Sequence, residues 1–525
     1  MPTFRTPGIY IEELRVPDTQ VMGVPTAVPA FIGCTEKAAD PGTGEPAAFK
    51  PVAIASMAEF VRWFGGAHRP VFRIAGGGPD GQDFAAPDAA GTPYRLVPVG
   101  DAVFHLYDAM RLYFANGGGH CRVVSVGGYG KPAALADLKR GLDALAGLNG
   151  PTILAAPDAC RLNHADYGRF ATAMLAQCGQ RRDRIALIDL CGSTRPENLN
   201  AAAVKAQVTA FHADIAGDGL DYSFGAAYYP ALRTTTVGTP EAGVGNLAIF
   251  GEDPATADIL ADLLVKQAKA TIAPAQLDPV MKVIAGILPG RAGAPQGTPI
   301  ARTDTAALAR ATDVLCAALP VMARIRQAIV DRMNVQPPSG AMAGVICQTD
   351  AKRAVWSAPA NVSLASVAAP AVPLTDDDQM PLATAPDGHS INVIRTFREL
   401  GPRVWGARTL DNNNYDVRYI APRRTLIFIE QSIRKALTAY AVAANNKNTW
   451  MAAIEAVTRF LQSVWREGGL MGSMPTQAFD VRCDLGTTMT AQDVQARRMI
   501  VQVNLSITQP GEFIKLMFVQ EVAGS

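Results

Sequence analysis

Residues Gly127 to Pro132, GGYGKP, carry the glycines and the lysine of a phosphate-binding loop. A working loop of that kind needs a glycine five positions before Gly130 and a Ser or Thr after Lys131, so that backbone N–H groups and a hydroxyl can hold phosphate and metal. Those positions hold Ser125 and Pro132, and the segment reads as a glycine-rich turn. His120 beside Cys121 could set an imidazole against a thiolate, but neighbours in a strand point to opposite faces. The six histidines (His68, His105, His120, His164, His212 and His389) stand in unrelated contexts, and no GxSxG elbow offers a nucleophile. Asp376, Asp377 and Asp378 lack the alternating ligands, glycine and distal glutamate of a calcium loop and read as a solvated acidic loop. Gly76 to Gly78 and Gly117 to Gly119 precede no strand–helix dinucleotide fingerprint. The expectation is therefore no catalytic, cofactor-binding or metal-ligating residue, no cofactor, and no enzyme.

Composition narrows the partners. A chain of 525 residues with 49% hydrophobic and 18% charged residues can build several cores. A formal charge of +1 supplies no field to gather nucleic acid or an anionic membrane. No run approaches the roughly 20 apolar residues of a membrane span, and MPTFRTPGIY has no signal-peptide core, which points to synthesis in the cytoplasm without membrane insertion. The eight cysteines are scattered without a CxxC pair, as expected of buried reduced thiols.

The elements come next. TAVPAFIG (Thr26 to Gly33) reads as a buried strand, Ala55 to Gly66 as a helix that stops at paired glycines, and Gly76 to Tyr94 as a loose stretch. A helix over Val103 to Asn116 leads to strand CRVVSV, and TILAAPD, RIALIDL and GAAYYP then alternate with helices near His164 to Cys178 and Ala201 to Asp214. Short apolar strands separated by helices imply a largely parallel sheet covered on both faces. Helical patterns over Thr256 to Thr271 and Asp304 to Asn334 make 231–335 an elaboration of that sheet.

After PPSGAMAGVICQTD the character changes. A loose acidic stretch (Thr375 to Gly388) precedes strands INVIRTF and RVWGARTL and two long amphipathic helices. The first helix, Arg424 to Ala444, lines up Leu426, Ile429, Ile433, Leu437 and Tyr440; the second, from Thr449 to the stop at Gly468 and Gly469, lines up Trp450, Ile454, Val457, Leu461 and Val464. With strand MIVQVNLSI they make a small α+β module.

Both ends carry detached strands. GIYIEELRV lies between Pro7 and Pro17, and GEFIKLMFVQEV follows Pro510 with both faces largely apolar. Such strands need a partner to be ordered.

Several motifs together resemble the contractile tail sheath family of phage tails and contractile injection systems. They are TPGIYIEEL, TAVPAFIG, ILAAPD, AAYYPAL, PPSGAMAGVICQTDAKRAVWSAPAN, INVIRTF, RVWGARTL, RRTLIFIEQSIRKAL and FLQSVWREGGLMG, in order along nearly the whole chain. TAVPAFIGCTEKA and NVQPPSGAMAGV lean toward extracellular injection particles.

The resemblance implies a multidomain α/β and α+β protein. Its parts are an N-terminal arm (1–20), an outer α/β domain, subtilisin-like without catalytic residues (21–375), an inner α+β C-terminal domain (376–508) and a C-terminal arm (509–525). It implies a sheath subunit that polymerises helically around an inner tube by exchange of β-strands, and contracts. Ile9, Tyr10, Ile11, Glu12 and Leu14 at one end, and Phe513, Ile514, Leu516, Phe518 and Val519 at the other, would pair with neighbouring copies. Arg434, Lys435, Arg459 and Arg466 would face an acidic tube, and baseplate and terminator or cap proteins would be further partners. Linkers near Pro17 to Pro25 and Ser506 to Pro510 would let subunits turn without letting go. The particle would be assembled in the bacterial cytoplasm, as a phage tail or as a tail-like particle released from the cell. The rival readings are an α/β hydrolase with an accessory module and a non-contracting tail ring or cap.

Overall fold

The computed structural model describes residues 20–77, 82–88, 90–100, 103–291, 297–383, 388–441 and 443–511. The chain divides into a larger unit, 27–353 with 358–420, and a smaller one formed by the residues after 420 with 354–357 and the segment before Ala27.

The larger unit is built on a nine-stranded sheet. Its strands are β1 (Pro29–Gly33), β2 (Val52–Ile54), β3 (Cys121–Ser125), β4 (Ile153–Ala155), β5 (Ile185–Asp189), β6 (Gly225–Tyr229), β7 (Val362–Ser363), β8 (Ile391–Phe397) and β9 (Gly401–Val404). In space they run β7-β9-β8-β6-β5-β4-β1-β3-β2. The six from β8 to β3 are mutually parallel, and the edges at β2, β9 and β7 are antiparallel. Every residue of β1, β5 and β6 is buried, as continuous apolar runs covered on both faces must be.

The described residues form thirteen helices of eight residues or more: α1 (Met57–Phe64), α2 (Leu106–Ala115), α3 (Leu135–Asp143), α4 (His164–Arg181), α5 (Val204–Ile215), α6 (Pro254–Thr271), α7 (Pro274–Ile287), α8 (Thr305–Ala318), α9 (Pro320–Met333), α10 (Ser339–Lys352), α11 (Asp376–Ala383), α12 (Ile420–Leu437) and α13 (Lys447–Arg466). Neighbouring residues of β1 show the layering. Phe31 meets Tyr113 of α2 with ring centroids 5.1 Å apart, while a Cβ on Gly141 of α3 would press on Ile32. Adjacent strand residues face opposite ways, so α2 and α3 cover opposite faces.

Residues 231–335 do more than elaborate the sheet. Phe72, Ile74, Phe84 and Leu96 share one buried core with Leu260, Leu264, Ile284, Leu315 and Ile325 of α6 to α9. Ala248 donates its N–H to the Phe72 carbonyl at 2.8 Å, and Thr256 accepts from the Ile74 N–H at 2.9 Å. The stretch Gly76 to Tyr94, expected to be loose, therefore joins a three-stranded antiparallel sheet of Phe72–Gly76, Phe84–Ala85 and Pro93–Pro98. Its turn residues obscure strands that these helices stabilise from outside the local sequence.

Two further expectations are corrected. INVIRTF and RVWGARTL do not belong with the C-terminal helices: Ile391, Asn392 and Val393 pair in parallel with Ala227, Tyr228 and Tyr229, and β9 follows. Asp376 to Asp378 open the helix α11 rather than a solvated loop, because Asp378 and Thr375 cap its first turn reciprocally and Asp376 pairs with Arg395. The eight cysteines form no disulfide, and seven are buried.

At the carboxyl end of β5, Asp189 accepts the Ser339 N–H at 2.8 Å, where α10 begins. Burial pushes this carboxyl up to about 7. The unfolded chain ionises an ordinary Asp near pH 4 while the folded chain still holds the proton, so the contribution of Asp189 to stability declines as pH rises from about 4 to about 7. Asp189→Asn cannot ionise. Its stability relative to the parent, measured by urea unfolding at pH 5 and pH 8, should rise by on the order of 2 kcal/mol at the higher pH.

Candidate assembly surface

The smaller unit explains itself from two helices. The stripe on α12 buries Ile429 and Ile433 against Val457, Leu461 and Val464 of α13, and the Phe428 and Phe460 rings lie 5.8 Å apart. Asn446 starts α13 by accepting the Thr449 N–H at 3.1 Å. At the other end Gly468 takes φ +88°, and Gly469 returns its N–H to the Val464 carbonyl at 2.8 Å.

Strands β10 (Phe479–Arg482) and β11 (Gln502–Leu505) run antiparallel, with Phe479 opposite Leu505 and Val481 opposite Val503. These four side chains and Ile507 pack on the helical core, and Asp480, Arg482, Gln502 and Asn504 alternate away from it. The expected strand Met499 to Ile507 is thus present in part. Its partner Phe479–Arg482 was missed, although F-D-V-R has the alternation that marks a half-buried strand. Among the described residues this sheet has two strands and two free edges. Two strands alone are marginal in water, so the helices hold this pair open as a platform.

The roots of both arms sit on the same unit. Val24 donates its N–H to Ser432 at 3.1 Å, Arg424 donates to the Thr26 carbonyl at 3.0 Å, and a Cβ on Gly23 would lie 3.0 Å from the Phe428 ring. At the other end Ser506 donates to the Ala478 carbonyl at 2.8 Å, Met471 donates to Ser506 at 2.7 Å, and the Thr508 hydroxyl donates to the Gly468 carbonyl at 2.8 Å. The expected linkers are therefore fixed over 21–26 and 506–508. Ile9 to Leu14 and Phe513 to Val519, the expected pairing strands, lie outside the described residues.

The four basic candidates are all exposed but do not form one patch. Arg434 and Lys435 occupy the last turn of α12, and Arg466 the last turn of α13. Arg459 lies 3.8 Å from Glu455. The Phe428–Phe460 contact sets Arg434 and Lys435 level with Ile454 and Ala453 of the antiparallel α13, so Arg466 stands about 18 Å further along the hairpin. Three of them also complement the negative ends of their helices.

Elsewhere, GGYGKP is an irregular turn, and His120 is exposed while Cys121 is buried, as the strand geometry required. His105 is a fully built-in neutral histidine: Nδ1 faces Gln336 at 2.9 Å, Nε2 faces Thr194 at 3.3 Å, and burial holds its pKa down to about 3. Among the described residues, no helix is long and apolar enough to cross a membrane.

No family model and no curated protein matches the chain. Solved structures do. The helical sheath of the anti-feeding prophage in its contracted state is 24% identical with a TM-score of 0.57, covering 99% of this chain and 100% of that one. The chain has the fold of a contractile sheath protein. The PVC sheath complex of an extracellular contractile injection system, also contracted, gives 24% identity, a TM-score of 0.56 and 99% coverage of both chains. A chain of the contracted anti-feeding prophage baseplate gives 21% identity, a TM-score of 0.60, and coverage of 98% and 99%. The sheath fold thus accounts for both units of this protein, including the small α+β unit with its open two-stranded sheet.

Proposed function

We propose that this chain is the structural subunit of a contractile sheath, which polymerises helically around an inner tube and shortens to drive the tube through a target envelope. The observation that carries the reading is the two-stranded sheet of the smaller unit: it offers free edges on the unit that holds the roots of both arms, within a fold matched end to end by sheath chains. In this reading Ile9, Tyr10, Ile11, Glu12 and Leu14 of one copy, and Phe513, Ile514, Leu516, Phe518 and Val519 of another, complete the sheet of a third. Donor and acceptor surfaces differ, so the contact propagates instead of closing as a dimer.

The energetics suit a lattice. A six-residue strand adds about five ladder hydrogen bonds at ~1 kcal/mol each. Two or three buried side chains contribute ~2 kcal/mol each, and ordering the strand costs ~1.5 kcal/mol per residue, which leaves a surplus of roughly 0 to 2 kcal/mol per arm. Many weak ties make a strong tube.

The larger unit is the outer domain, subtilisin-like in plan and without catalytic residues; the smaller is the inner domain. The role is structural rather than enzymatic, needing no cofactor, nucleic acid or membrane insertion. Baseplate and terminator or cap proteins close the ends. Assembly takes place in the bacterial cytoplasm, and the end-to-end likeness to sheaths of injection particles favours a particle released from the cell.

Tube contact falls to the exposed cations Arg434, Lys435, Arg459 and Arg466. Reversing Arg434 and Lys435 to Glu should leave sheath tubes in negative-stain images while abolishing co-purification of the inner tube; retained co-purification would remove these two residues from the contact.

A further inference from the structure

His164, Cys191 and Asp214 reach one point of the larger unit from three elements. His164 is the first residue of α4, Cys191 follows β5, and Asp214 lies in the last turn of α5. Backbone packing fixes the meeting. A Cβ on Gly168, one turn beyond His164, would lie 2.5 Å from the Asp214 carbonyl oxygen, so only glycine lets α4 and α5 approach this closely. His164 shares the face of Gly168 and therefore stands over the Asp214 side chain. Its Nδ1 lies 2.7 Å from Asp214 Oδ2. One ring nitrogen of His164, the Cys191 sulfur and an Asp214 carboxylate oxygen all lie within 4.8 Å of one another, and no other group of this kind occurs among the described residues.

We infer that this trio is a binding site for a divalent cation of the zinc class, with water as the fourth ligand. The donor set selects the ion: one imidazole, one thiolate and one carboxylate suit zinc, whereas calcium and magnesium require oxygen alone. The spacing suits it as well. Tetrahedral bonds of 2.0 to 2.3 Å place ligand atoms roughly 3.3 to 3.8 Å apart. The His164–Asp214 pair needs to open by less than ~1 Å to admit the ion, a small rotation for a side chain that is 59% exposed.

The surroundings hold the ligands in place. Gly192 donates its N–H to the Cys160 carbonyl at 2.7 Å, and Tyr167 donates its hydroxyl to the Asp189 carbonyl at 2.8 Å; these two bonds fix the turn that carries Cys191. Cys191 donates to the Leu162 carbonyl at 3.4 Å, and burial together with the nearby Asp214 carboxylate pushes its thiol up to about 12. A cation displaces that proton to solvent and neutralises two anionic groups at once. The result is a clip that joins α4, α5 and the turn after β5.

The site is tested on the full-length chain, stripped with chelator and titrated with Co2+. One equivalent should give a thiolate-to-cobalt charge-transfer band that Zn2+ abolishes. Cys191→Ser should remove the band although the other cysteines remain, and His164→Gln, a change at an exposed position, should weaken cobalt binding at least about 10-fold. No band in the parent, a band that survives Cys191→Ser, or unchanged affinity in His164→Gln would each overturn the assignment and leave a surface His–Asp hydrogen bond beside a buried thiol.

Discussion

A chain that stops before Gly511 is expected to purify as a folded monomer and to form no tubes, whereas the full chain is expected to form tubes visible by negative stain. Every described core residue of the smaller unit lies between Val21 and Ile507, so the truncation removes no described packing. Urea unfolding should accordingly show the midpoint of a stable monomer. On the proposed assembly, what is lost is the strand that would complete a neighbour's sheet, and with it the small surplus per contact that a lattice multiplies. Ordered tubes from the truncated chain would dismiss the C-terminal arm as the tie. Rings of a fixed count from the full chain would favour a ring or cap component, and a full chain that stays monomeric would remove the sheath reading.

The second large effect is expected at Asp158, within the ILAAPD motif. Its carboxylate is fully buried at the carboxyl end of β4, where it accepts N–H bonds from Cys34 at 2.7 Å, His105 at 2.5 Å and Leu106 at 3.2 Å. It thereby ties the end of β1 to the start of α2. Gly33 makes room for it, since a Cβ there would lie 2.6 Å from the carboxylate. Asp158→Ala strands three buried donors at a cost of roughly 1 to 3 kcal/mol each, partly offset because no carboxyl is then buried. A net loss of about 3 kcal/mol or more is expected by urea unfolding of the monomeric truncated chain, with Asp158→Asn in between. A loss below about 1 kcal/mol would show that water replaces the carboxylate.

The strands and helices that were legible in the sequence are those whose own side chains decide the outcome. Phe31 and Ile32 in β1 and the Ile185–Asp189 run declare themselves as short continuous apolar runs, and the stripes through Ile429, Ile433, Val457 and Leu461 declare their buried faces by helical period. What stayed hidden depends on distant partners. The strands Phe72–Gly76 and Pro93–Pro98 owe their order to helices nearly two hundred residues later, and INVIRTF gave no sign that its neighbour would be Gly225–Tyr229. The candidate surface divides in the same way. The four basic residues were readable as exposed helix positions, but their separation along the hairpin is a three-dimensional fact. Thr375 and Asp378 hid a helix start inside an acidic run because capping uses the same residues that solvate loops.

The pinned arm roots bear on how such a lattice moves. With 21–26 fastened to α12, only about four residues of the expected linker remain on the N-terminal side, a reach of about 14 Å when fully drawn out. With 506–508 fastened as well, the other tie is shorter still. If the arms join neighbouring copies as proposed, ties this short would act as hinged links of fixed length rather than as elastic cords. A mesh of such links has few independent motions: one copy cannot turn without dragging its neighbours through the same angle. Shortening in a sheath built this way would travel from ring to ring as a wave, driven by geometry and with no need for a signal passed to each subunit.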